Sequence, residues 1–190
     1  TTFHSLPPYS NNSRVWGGFE YKHPDEETDW ANLYDLVDFV INAPDHQFYE
    51  EYDDRFEIDN LVDYFIFLNL LRATDNTGKN IYIAKYNANE KYFYAPWDLD
   101  GTYGSVWDGT YDPTTNGILL NGFYSRLMYD CQAQGFRDKL KARWLELRST
   151  QITHDSIFSM LMSSHELLLH NGVYERESLK WPDFTYNSLD

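Results

Sequence analysis

Four oxygen-bearing side chains have the types and spacing that support chemistry: Asp75, Asn80, Asp98 and Asp100. Asp75 and Asn80 bracket one short loop as Asp75-x-x-x-x-Asn80, and Asp98 and Asp100 follow in the run Pro96-Trp97-Asp98-Leu99-Asp100-Gly101. A carboxylate and an amide oxygen on one loop, with a second carboxylate group beyond a β hairpin, form a phosphoryl-transfer layout. In it the first Asp orients the attacking hydroxyl, while the Asn and the later Asp hold a divalent cation. Mg²⁺ takes hard oxygen ligands and keeps several waters, so Asn80, Asp98 and phosphate oxygens suffice for it. Asp100 serves equally as a donor to a second ion or as a cap on the turn entering Gly101. Lys79 and Lys85 reach phosphates or lie solvated.

The elements that must position these groups follow from pattern. Trp30, Leu33, Val37, Val40 and Ile41 recur at spacings of three and four. They predict an amphipathic helix, capped by Thr28 or Asp29 and ended before Pro44. The acidic Glu50, Glu51, Asp53 and Asp54 read as a solvated loop or helix face. Asp59 is expected to cap a second helix, LVDYFIFLNLLRA, whose nearly all-round apolar surface predicts a central, buried element. That helix delivers Asp75 to its C-terminal end, where a carboxylate opposes the helix dipole unless Arg72 or a bound cation offsets it. Asn80 to Tyr86 and Lys91 to Ala95 read as strands joined by the turn NANE, with Tyr92 and Tyr94 on one face and Phe93 on the other. Trp97 is expected to pack under the loop that follows. Residues 99–117, rich in Gly, Thr, Asp and Tyr, make a long loop of the kind that carries function. Helices are predicted around Leu119, Leu120, Phe123 and Leu127, over FRDKLKARWLELR, and over Ile157 to Leu169. Residues 1–27 read as irregular with a short strand at Gly18 to Lys22, and the last twenty residues as a surface tail.

The 190 residues and 42% hydrophobic content support one domain, α+β in class and mainly helical. Sixteen Tyr and 12 Phe favour clefts and surfaces where a ring is buried while a hydroxyl stays wet. A net charge of −15 repels nucleic-acid phosphates, so DNA and RNA are not expected partners. No apolar run is long enough to span a membrane and no signal peptide is evident. The chain starts at Thr1 and reads as a processed or excised piece, and its one cysteine, Cys131, forms no internal disulfide framework.

The stretch LVDYFIFLNLLRATDNTGKNIYIAKYNANEKYFYAPWDLDGTYG resembles the signature of the spore-coat CotH kinase family. The match rests on PWDLD and on the Asp-x-x-x-x-Asn before it, and with the flanking helices it covers roughly residues 16–170. The resemblance implies the C-terminal lobe of an atypical kinase-like fold with a short hairpin carrying the site. It also implies ATP and Mg²⁺, with Mn²⁺ as a substitute, and transfer of the γ-phosphate to Ser or Thr of a protein partner such as a spore-coat or secreted protein. By that resemblance Asp75 is the catalytic Asp, Asn80 and Asp98 hold metal, and Tyr92 faces the nucleobase. The location implied is extracytoplasmic, secreted or on a spore or cell surface. No Gly-x-Gly-x-x-Gly loop and no strand lysine precede Trp30, so the chain resembles the family's C-terminal part and predicts weak nucleotide binding and little turnover in isolation.

Another class of function competes with this reading. A non-catalytic extracellular adhesion or carbohydrate-binding module would stack its tyrosines on sugars and bind Ca²⁺ in acidic loops. An EF-hand count from Asp98 puts Gly109 where the bidentate Glu belongs, which argues against that calcium loop. Glycoside hydrolysis has no supporting motif.

Overall fold

The computed structural model describes residues 5–24, 28–106, 108, 110–111 and 117–183. Gly109, the acidic residues of HPDEE and the end of the C-terminal tail lie outside the described residues. The chain is mainly helical with two small antiparallel hairpins. Its packing resolves into two compact units, residues 1–143 and 144–190.

The first unit opens with a hairpin, β1 (Val15–Trp16) paired with β2 (Phe19–Glu20), where a strand at Gly18 to Lys22 is expected from sequence. Gly17 and Gly18 both have positive φ and supply the turn that a side chain would resist. Helix α1 (Ala31–Asn42) follows the predicted period, and Asp29 accepts the Ala31 N–H at 3.0 Å, meeting one of its orphan donors. Trp16, Trp30 and Val37 pack together beneath this corner.

The acidic stretch forms a helix, α2 (Asp45–Arg55), which buries Phe48 and Tyr52 and turns its carboxylates outward. Helix α3 (Ile58–Leu71) is the central element, burying Ile58, Leu61, Val62, Tyr64, Phe65, Ile66 and Leu68. Its cap position is Glu57, not Asp59, which lies in the first turn. The reason is a parallel bridge: Glu57 N–H donates to the Tyr92 carbonyl and Tyr92 N–H to the Arg55 carbonyl, both at 2.8 Å. That pairing holds Phe56 and Glu57 extended and sets the helix start at Ile58, ahead of the expected cap at Asp59. The second hairpin pairs β3 (Ile81–Ala84) with β4 (Phe93–Pro96), and Ile81 lies opposite Pro96.

Helix α3 holds this hairpin through one asparagine. Asn60 accepts the Tyr94 N–H at 2.7 Å and donates to the Tyr94 carbonyl at 3.0 Å, completing on β4 the ladder that a further strand would supply. Asn69, nine residues along, does the same for Leu119, accepting its N–H at 2.7 Å. Helix α4 (Gly122–Met128) buries Phe123, Tyr124 and Leu127, while Leu119 and Leu120 precede it. Phe56, Tyr94, Phe123, Tyr124, Phe65 and Phe136 form a continuous aromatic core, with Phe56 and Phe123 centroids 4.6 Å apart.

Helix α5 (Phe136–Thr150) begins in this unit with Phe136 fully buried. The predicted stripe of Phe136, Leu140, Trp144 and Leu147 is incomplete, because Trp144 is exposed. The second unit holds the rest of α5, then α6 (His154–His170), capped by Thr153 on the Ser156 N–H, and α7 (Val173–Lys180). The last residues are therefore not simply a tail: α7 occupies their first half. Among the described residues no helix is long and apolar enough to cross a membrane.

Candidate functional site

Helix α3 stops at Leu71 because Arg72 takes a left-handed conformation, φ 55°. The chain then makes a 3₁₀ turn at Asp75–Thr77 and enters β3. Asp75 thus lies beyond the helix end, not on its last turn. The charge that compensates it is Lys79, whose Nζ is 2.8 Å from Oδ2 of Asp75. Arg72 does not take this role; its Nη1 donates to the Gly117 carbonyl at 2.8 Å. The hydrogen bond and charge of Asp75 raise the Lys79 ammonium above its usual range, and the charges of Asp100 and Asp98 add in the same direction. Asp75 is thus the ion-pair partner of Lys79, and Asp98 and Asp100 act on it through their charge alone.

A residue that the pattern of carboxylates does not reveal ties this arrangement together. Asn76, next to Asp75, is 1% exposed. Its Nδ2 donates to the carbonyls of Asn80 and Trp97, each at 2.7 Å. Tyr64 of α3 reaches up to donate its hydroxyl to the Asn76 carbonyl at 3.0 Å. The hairpin ladder continues one step past β4, with Trp97 N–H donating to the Asn80 carbonyl at 2.9 Å. One amide side chain thus fixes the backbone beside Asp75, at Asn80 and immediately before Asp98. On the other side, a Cβ placed on Gly101 would lie 3.9 Å from the Asp75 Cβ, so the chain after Asp100 passes close beside Asp75.

The backbone here is held in uncommon conformations. Asn80, opposite Trp97 at the open end of the hairpin, and Asp98, the next residue along, have φ of 55° and 54°, and Tyr103, whose N–H donates to the Leu71 carbonyl at 2.7 Å, has 54°. Asn and Asp tolerate this region better than other side chains, which suits both positions. Strained residues persist where surrounding contacts over-determine them, and they concentrate at functional sites.

The structure therefore brings Asp75, Asn80, Asp98 and Asp100 to one end of the hairpin. Tyr92 lies at the other end of β4, roughly 20 Å along an extended chain. Its ring lies 6.3 Å from Phe56 and under the Lys85 ammonium at 4.4 Å, and burial pushes its hydroxyl up to about 12. Lys85 is thus occupied by a ring and by the Ala88 carbonyl. Trp97 is a further correction: it is 58% exposed and meets the edge of Tyr82, because the Asn76 clamp takes its carbonyl and leaves the indole outside.

An apolar cleft of about 370 Å³ opens between α1 and the hairpin, lined by Val37, Val40, Ile81, Ile83 and Tyr94, and reaches Thr77 and Gly78 of the loop that carries Asp75. Asn121 secures that boundary: it caps α4 by accepting the Tyr124 N–H and donates to the Thr77 carbonyl at 2.8 Å.

A family model described as CotH kinase protein matches residues 4–190. The chain belongs to this family. Searches of curated proteins and of solved structures gave no match. Within the CotH chain the donor set is all oxygen, which fits a hard cation such as Mg²⁺. Among the described residues no three His, Cys, Asp or Glu side chains cluster closely enough to enclose an ion by themselves. An ion at Asp98 would draw on the Asn80 amide oxygen, and on phosphate and water for the remaining positions.

Proposed function

We propose that this CotH chain carries the metal-binding and catalytic half of a protein kinase site, passing the γ-phosphate of ATP to a Ser or Thr hydroxyl of a protein partner. The observation that carries the reading is the Asn76 clamp, which gathers Asp75, Asn80 and Asp98 around one loop. Asp98 and Asn80 would hold Mg²⁺ or Mn²⁺, with Asp100 beside them. Bound there, the ion would supply Lewis-acid neutralisation of the phosphate oxygens.

Asp75 orients the attacking hydroxyl and accepts its proton as the new O–P bond forms and the bond from the γ-phosphorus to the bridging oxygen breaks, releasing ADP. Lys79 must leave Asp75 for this to happen. Its side chain is 65% exposed, so little packing opposes the exchange. Tyr92 is assigned to the nucleobase end of the bound nucleotide. The partner is a spore-coat or secreted protein, and the setting extracytoplasmic, in keeping with the family.

Isothermal titration of the intact protein with Mg²⁺ and ATP tests the metal assignment: Asp98→Ala should abolish the binding isotherm. Asp75→Asn should remove phosphate incorporation from labelled ATP while preserving the circular dichroism spectrum. Unchanged affinity in the first variant, or retained transfer in the second, rejects the assignment. Glycan binding that survives both substitutions would instead favour a carbohydrate-binding module, with the exposed Trp97 as its stacking surface.

A further inference from the structure

Arg72 stands where its own fold makes it costly. It ends α3 in a left-handed conformation that favours Gly or Asn. Its Nη1 is bonded to the Gly117 carbonyl, but its Nε and Nη2 are closed off from solvent and have no hydrogen-bond partner among the described residues. Buried donors of a cation left without acceptors destabilise a fold more than an apolar side chain of similar length would. A purely architectural role at this position therefore gives no reason for an arginine.

The two unpartnered nitrogens are not an arbitrary pair. Nε and Nη2 form the edge of a guanidinium that grips two oxygens of a carboxylate or phosphate at once. The same chain uses that edge elsewhere: Arg143 places Nε 2.7 Å from Oδ1 and Nη2 3.1 Å from Oδ2 of Asp63. Arg126 shows the alternative, an arginine spent on architecture, with its terminal nitrogens on the carbonyls of Val40 and Ala43 at 2.7 and 2.8 Å. Arg72 follows neither pattern. The chain is rich in acidic residues that could supply a carboxylate partner, yet among the described residues none pairs with this fork.

We infer that Arg72 is a phosphate-binding residue at the head of the catalytic loop, its Nε–Nη2 edge taking two oxygens of a phosphate group three residues before Asp75. The existence of an oxyanion site stands on the unpaired fork alone; the choice of phosphate over carboxylate rests on the phosphotransfer reading. Because the fork is closed in this structure, binding requires the groups that cover Nε and Nη2 to draw back, while Nη1 can stay on the Gly117 carbonyl.

Titration calorimetry of the intact protein with inorganic phosphate, at constant ionic strength and without divalent cations, tests this. Wild type should bind phosphate, and Arg72→Met and Arg72→Lys should each bind it about tenfold more weakly or worse, since an ammonium supplies charge without the fork. Arg72→Lys keeps the charge, so its result stands even if Arg72→Met fails to fold. ADP and O-phosphoserine, titrated separately, separate a nucleotide source from a phosphorylated side chain; a loss of affinity in Arg72→Lys for either supports the site. Absence of phosphate binding by wild type, equal affinity in all three proteins, or acetate binding as tightly as phosphate overturns it. Asp98→Ala should leave this phosphate isotherm unchanged while abolishing Mg²⁺-nucleotide binding, so failure of the Arg72 site and failure of the kinase reading are distinguishable.

Discussion

Replacing Asn76 by Ala or Asp tests whether one side-chain amide holds the two halves of the site together. In Asn76→Ala the two Nδ2 bonds disappear, at about 1 kcal/mol net each. The Asn80 carbonyl keeps the Trp97 N–H, so only the Trp97 carbonyl loses its described partner. Against this, the Asn76 Oδ1 is itself buried without a partner, and its removal returns on the order of 1 kcal/mol. The net expectation is a loss of about 1–2 kcal/mol. Asn76→Asp is different in kind, because it puts a carboxylate oxygen where Nδ2 now lies 2.7 Å from two carbonyl oxygens. An ionised side chain cannot donate there, so at neutral pH the loss should be about 3 kcal/mol or more.

The sign of the pH dependence follows. The folded state favours the protonated Asp, raising its folded pKa above the unfolded value of about 3.9. The stability that ionisation removes from the variant is therefore present below the unfolded pKa and lost as pH rises through the raised folded pKa, while the neutral carboxyl, with one O–H, restores only one of the two bonds. Urea denaturation of wild type and both variants between pH 4 and pH 7 reads this directly. If Asn76→Asp matches Asn76→Ala at pH 7 and shows no recovery in acid, the amide does not clamp those carbonyls.

Two further predictions concern regions that support the site. A Cβ at Gly135 would fall 2.2 Å from Oδ2 of the buried Asp130, which accepts the Tyr52 hydroxyl at 2.7 Å and the Phe136 N–H at 3.1 Å. Gly135→Ala should therefore cost about 3 kcal/mol by displacing the carboxylate, and Tyr52→Phe about 1.5–3 kcal/mol; denaturation midpoints that stay at the wild-type value would refute the network. Asp29 is held below the usual carboxylate range first by the Ala31 N–H, then by the Asn11 amide and the Tyr9 hydroxyl. Its contribution is present above the unfolded pKa and lost as pH falls through the depressed folded one, so Asp29→Asn should flatten the acid limb of the stability curve below about pH 4.

The parts of this fold that can be read from sequence are those in which one residue type serves one purpose. Apolar spacing in α1 and α3 locates both helices, and the carboxylates of PWDLD mark the candidate site, because periodic burial and clustered charge are each local signals. Asn60, Asn69, Asn76 and Asn121 leave no such trace. Asparagine in a sequence predicts turns and caps, since its short amide competes with local backbone. Here it bonds backbone 34, 50, 21 and 44 residues away, and only the tertiary fold supplies those partners. The same limit explains the shifted start of α3, set by the bridge to Tyr92, and the exposure of Trp97, set by the clamp on its carbonyl. The division has a physical basis. The carboxylates present charge to solvent and need no fixed partner until a ligand arrives, so composition reveals them. The amides that aim them satisfy buried carbonyls donor by donor, and a change of one atom in Asn76 should disturb the site more than the loss of an exposed carboxylate would disturb the fold.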